Sequence, residues 1–139
     1  MRIATVVSLL ALAAVAVSAG TSPPRAALLG TWRGTSVCTD RVAAPACKDE
    51  VVVYRFTPSG RDSVLLKAYK VVAGEELFMG DLVFGLDAKA GEWVADFHGP
   101  RGVSRWSLRA ADTLMTGRCV LLPGGERVRR VRVVRTANE

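Results

Sequence analysis

Apolar and polar side chains alternate with a period of two, and the alternation resumes after every short turn signal from Gly30 to Thr136. This feature most narrows what the chain can become. Residues 81–87 set Leu82, Phe84 and Leu86 against Asp81, Val83, Gly85 and Asp87. Residues 92–98 set Trp93, Ala95 and Phe97 against Glu92, Val94, Asp96 and His98, and residues 103–110 set Ser104, Trp106 and Leu108 against Val103, Arg105, Ser107 and Arg109. Successive side chains on a strand point to opposite faces, so each stretch is predicted as a strand with one apolar face.

The same reading extends in both directions. Residues 28–38, LLGTWRGTSVC, alternate Thr31, Arg33, Thr35 and Val37 against Trp32, Gly34, Ser36 and Cys38 and open the series, with residues 26–29 as a short helical turn before them. Gly30 leaves room for a close chain crossing, and Trp32 is placed to plug one end. Residues 49–57, 62–72, 112–122 and 127–136 supply the remaining strands. The turns are Pro58-Ser59-Gly60, Ala73-Gly74-Glu75, Ala88 to Gly91, His98 to Gly102 and Pro123-Gly124-Gly125. Residues 75–79 retain some helical character. Eight strands joined by short turns make an antiparallel meander. With one apolar face each they close into an all-β, eight-stranded barrel, with a sandwich as the alternative architecture.

Charge and cysteine placement bound the setting. Arg2, an apolar run over residues 3–17 and the small residues Val17, Ser18 and Ala19 form the pattern of a secretory signal over residues 1–19, followed by a leader at 20–27 and a barrel domain at 28–139. The apolar run is short for a membrane span, so no transmembrane span is expected after cleavage, and a periplasmic or secreted location follows. There are 19 basic and 13 acidic side chains; without Arg2 the balance is 18 − 13 = +5. Cys38 and Cys47 flank a proline-containing loop, and in an exported chain they are predicted to pair as a disulfide. They lack the second close pair that a zinc site needs, so no metal is expected. Cys119, in phase with Met115, Gly117 and Leu121, is predicted as a buried thiol.

The Gly30-Thr31-Trp32 opening behind a helical turn, with an eight-strand meander after it, resembles the lipocalin and calycin group. The resemblance implies that the tryptophan closes the barrel floor under an arginine from the last strand, a part that Arg130 or Arg132 would take. The words WRGTSVC, ACKDEVVVYRF, GEW and PGGERVRRV also look like those of small exported bacterial lipocalin-like proteins without an assigned activity. Gly30 to Gly34 further resembles the start of the nitrobindin-like heme proteins. That family ligates iron through a late histidine, and the C-terminal strands here contain none, so no cofactor is expected.

Candidate functional residues follow from the barrel. Trp93, Trp106, Tyr54, Phe84 and Phe97 are expected to line an interior that holds a small apolar or amphipathic molecule, with Arg130 and Arg132 as polar partners for it. Asp96 and His98 share a face and could exchange a proton, yet no Gly-x-Ser-x-Gly elbow supplies a nucleophile, and an enzyme is not expected. Arg127, Arg129 and Arg132 offer a second reading, a structural or interaction module whose basic last strand meets an anionic component of the cell envelope. Nucleic acid is not an expected partner, because the chain has no recognition helix and no stacking signature.

Overall fold

The computed structural model describes residue 14 and residues 23–137; the expected secretory signal and its cleavage point fall outside the described residues. A 3₁₀ turn over Arg25–Ala27 precedes eight strands: β1 Gly30–Cys38, β2 Glu50–Ser59, β3 Ser63–Val72, β4 Glu75–Asp87, β5 Glu92–Gly99, β6 Gly102–Ala111, β7 Leu114–Leu122 and β8 Arg127–Ala137. Each strand pairs antiparallel with its sequence neighbours, and β8 returns to β1, so the sheet closes as a barrel in the order of the chain. The sandwich alternative is thereby excluded. Among the described residues no helix is long and apolar enough to cross a membrane.

Closure turns the period of two into an inside and an outside. Trp32 on β1, Val52, Tyr54 and Phe56 on β2, Val64 and Leu66 on β3 and Phe84 on β4 are buried. So are Trp93 and Ala95 on β5, Leu108 on β6, Met115 on β7 and Val131 and Val133 on β8. Residues 75–79, for which helical character was expected, form the start of β4, because pairing of Val72, Val71 and Lys70 with Glu75, Glu76 and Leu77 continues the hairpin ladder. Pro58 likewise lies inside β2, opposite Val64, rather than in the turn.

The floor is built as the sequence opening suggests, with one change of partner. Trp32 is fully buried, and its Nε1 donates to the Leu28 carbonyl at 2.9 Å, which fixes the 3₁₀ turn against the barrel end. The cation over its ring is Arg135, at 4.3 Å from the centroid, and not Arg130 or Arg132. Arg135 lies opposite Trp32 in the β1–β8 register and donates to the carbonyls of Leu29 and Ala27. Arg130 and Arg132 lie further along β8, opposite Val37 and Thr35, and are exposed on the outer wall.

Gly30 has φ +115°, a conformation glycine adopts cheaply, at the point where the chain enters β1. The close approach falls one turn of the pleat later. A Cβ at Gly34 would lie 2.0 Å from the Arg132 carbonyl oxygen, so β8 can press against β1 only because no side chain stands there. At the other end of β1, Cys38 and Cys47 form the expected disulfide across the β1–β2 loop.

Candidate functional site

The floor half of the interior is packed and the other half is not. A cavity of about 280 Å³ lies toward the end that carries the disulfide loop, walled by Tyr54, Leu66, Leu82, Phe84, Trp106 and Leu108. Four of the five aromatic residues expected there line it: Tyr54, Phe84 and Trp106 on the inside, and Phe97, half exposed, at the rim. Trp93 does not. Its neighbour across the ladder is Leu86, in the short stretch where β4 and β5 are paired, and the closed wall there leaves the indole in the packed cluster. Its Nε1 is buried without an acceptor among the described residues.

The wall is incomplete beside this cavity. β4 and β5 pair only from Gly85, Leu86 and Asp87 to Val94, Trp93 and Glu92. Above that point β4 is bonded to β3 alone and β5 to β6 alone. Met79 to Leu82 on one side of the seam and Phe97 on the other line the cavity, and Met79 and Phe97 are 41% and 50% exposed, so the interior reaches solvent there. A bulge between Ala68 and Tyr69 of the β3–β4 register offsets Met79 from the regular alternation. Such bulges re-aim a side chain and blunt an edge strand.

Polar chemistry enters the cavity from Arg129 on β8, Glu50 and Tyr54 on β2, Ser104 on β6 and Asp81 on β4. Cys119 lies opposite Arg129, and this register turns Arg129 inward with Val131 and Val133, while Arg130 and Arg132 face out. Arg129 donates to the Ser36 hydroxyl at 3.1 Å and to the Lys48 carbonyl at 3.0 Å, and it stands 3.7 Å from the Glu50 carboxylate. This network ties β1, β2 and the disulfide loop together at the mouth and balances a partly buried positive charge with a partly buried negative one. Arg129, expected on the outer contact face, instead faces the interior, and Glu50 is its partner there. The phase of Val131 and Val133 places Arg129 inside; Val128 and Val134, in the opposite phase, mask that signal in RVRRVRVVR.

Burial pushes the Tyr54 phenol above its ordinary range, so it remains a neutral donor and acceptor in the cavity wall. Burial also pushes the Cys119 thiol up, and its nucleophilic thiolate form is correspondingly scarce. Asp96 does not work with His98: Arg105 takes both its oxygens, at 2.7 and 2.9 Å, and that bidentate bond holds the carboxyl below its usual range. Among the described residues there is no cluster of three potential metal ligands. The cavity can therefore hold a small molecule by apolar contact, with Tyr54, Ser104, Glu50 and Arg129 to orient one polar end.

No family model matches the chain, and no curated protein and no solved structure matches it.

Proposed function

We propose that the chain is an exported, lipocalin-like barrel that binds one small apolar or amphipathic molecule without transforming it. The cavity beside the open β4–β5 seam supports this reading. An unfilled interior of about 280 Å³ with aromatic walls and one polar corner is at the small end of the range for ligand sites. It suits a compact molecule of about two or three aromatic rings or a medium-length alkyl chain. The packed floor, sealed by Trp32 and Arg135, makes the pocket blind, so a bound molecule would point its polar end toward Arg129 and the mouth.

Titration with N-phenyl-1-naphthylamine, a neutral apolar fluorophore, followed by displacement with decanol, decanoate and decylamine, tests the reading. The expected result is saturable one-to-one binding that Ala68→Phe abolishes, since Ala68 lines the cavity and a benzyl group would occupy it. Absence of saturable binding by all four compounds, or equal binding by the Ala68→Phe variant, overturns it.

A second reading is contact with an anionic component of the cell envelope. The exposure of Arg127, Arg130 and Arg132 along one outer wall favours it.

A further inference from the structure

The outer wall formed by β6, β7 and β8 carries a grouping of arginines that the sequence does not display, because they come from three strands. Arg109 on β6, Arg118 on β7 and Arg127, Arg130 and Arg132 on β8 border one open groove of about 810 Å³. Their counter-ion is Glu92, which Arg118 grips at 2.7 and 3.2 Å and Arg109 approaches at 3.8 Å. Asp40 also borders the groove, but its carboxylate accepts from the backbone of Val42 and Ala43. Arg127, Arg130 and Arg132 make no ion pair among the described residues.

The register makes this arrangement costly. Arg118 stands directly opposite Arg130 on the neighbouring strand. Like charges in that position repel, and Glu92 is already engaged by two guanidinium groups. A stabilised wall would carry a carboxylate at position 130, as it does at Asp96 opposite Arg105 on β5 and β6. A surface that accepts repulsion instead of relieving it is set up for a charge that arrives from outside.

We propose that this groove binds a ligand carrying two or more phosphate groups. Neighbouring strands lie roughly 4.8 Å apart and residues i and i+2 of one strand roughly 6.8 Å apart, so the long side chains of Arg118, Arg130 and Arg132 start close enough to converge on one chain of linked phosphates. Each planar guanidinium can meet a phosphate with two parallel hydrogen bonds, which a lysine could not do. This inference gives a chemistry to the envelope-contact reading and is independent of the interior cavity. It also revises the contact face: Arg129 borders the groove but is held by Ser36, Lys48 and Glu50, and Arg109, Arg118 and Arg130 join the arginines that can meet a ligand there.

The test uses the whole mature protein, inorganic tripolyphosphate as probe, and sodium chloride at matched ionic strength as reference. Tripolyphosphate raises Tm above the chloride reference for the wild type and for Arg61→Gln, which removes a single positive charge from the β2–β3 turn, away from the groove. The double variant Arg130→Gln, Arg132→Gln loses about tenfold or more in affinity. Without phosphate that variant melts about 1 to 4 °C higher than the wild type, because the opposed pair is gone. Sedimentation with cardiolipin vesicles, whose headgroup carries two phosphates, against phosphatidylcholine vesicles, assigns the phosphate to a lipid headgroup if the protein pellets and to a soluble phosphate compound if it does not. No shift with tripolyphosphate beyond the chloride reference, together with no pelleting, overturns both the groove and the envelope reading. Pelleting that the double variant retains in full leaves envelope contact standing and overturns the groove, as does a double variant that binds tripolyphosphate within about twofold of wild type.

Discussion

Two arginines of β8 differ from their neighbours through phase alone. Arg135 and Arg129 turn inward; Arg130 and Arg132, in the other phase, turn out. Arg135 joins the last strand to the 3₁₀ turn through two carbonyls while lying on the Trp32 ring, so Arg135→Met keeps some packing and removes every charge-assisted bond. The expected loss is about 2 to 4 kcal/mol in urea unfolding, larger than for any exposed arginine. Glu50 neutralises Arg129 at the cavity mouth. Glu50→Gln leaves that guanidinium facing the cavity with its charge unbalanced, so competition for the fluorophore should shift toward decanoate by several-fold relative to decanol, and decylamine should fall behind both. Glu92 carries a pH dependence. The Arg118 hydrogen bonds, with both nearby guanidinium charges, hold its carboxyl below the usual glutamate range. A depressed folded pKa means the stabilisation is complete above roughly pH 4.3 and is lost as pH falls through the folded value. Glu92→Gln should therefore flatten the acid limb of unfolding free energy against pH, measured by urea unfolding, by less than about 1 kcal/mol, since Arg109 and Arg118 remain partly in water.

At the scale of strands, period two carried most of the architecture and its interruptions carried the rest. Eight stretches were legible because Trp93, Ala95 and Phe97, or Leu82, Phe84 and Leu86, repeat strictly between clear turn residues. The alternation marks β4 only from Asp81, because Glu75-Glu76-Leu77-Phe78-Met79 shows none; the pairing of that segment to β3 comes from the two-residue turn at Ala73 and Gly74 and not from its own pattern. Which arginine reached Trp32 was not legible either, since it depends on the β1–β8 register, which runs unbroken from Cys38 opposite Arg129 to Trp32 opposite Arg135 and is fixed by barrel closure, not by any pattern within β8. β1 makes a prediction of its own. Gly34→Ala puts a methyl group 2.0 Å from a backbone oxygen of β8 and 2.7 Å from the Val133 Cα, where no side chain can swing aside. The β1–β8 seam must spread, and the expected destabilisation is about 2 to 4 kcal/mol in urea unfolding, against a fraction of that for Gly124→Ala, whose Cβ meets only the mobile end of Glu126.

The molecule as a whole is sealed at one end and parted at the other, and this asymmetry has a dynamic consequence. Phe56, Val64, Trp93, Met115 and Val133 fill the floor with little exposure, and every seam there is hydrogen-bonded from strand to strand. Toward the mouth, residues 75–84 of β4 have one partner strand and residues 95–99 of β5 have one, while Leu77, Phe78, Met79, Val83 and Phe97 stand partly in water. Half of the backbone groups on those two strands therefore face the seam instead of a ladder, and few apolar contacts oppose their separation. Local opening follows the least supported contacts, so the order of hydrogen exchange is set by the seam and not by distance from the chain ends. Amides of Leu77 to Val83 and of Ala95 to His98 should exchange ahead of those in β6 and β7 under native conditions. Occupation of the cavity should slow exchange along both sides of the seam together, because the same occupant touches Met79 to Leu82 and Phe97. Exchange measured by mass spectrometry with and without N-phenyl-1-naphthylamine checks this. Protection confined to β6 and β7, with the seam unaffected, would place the occupant elsewhere and break the link between the parted wall and the pocket.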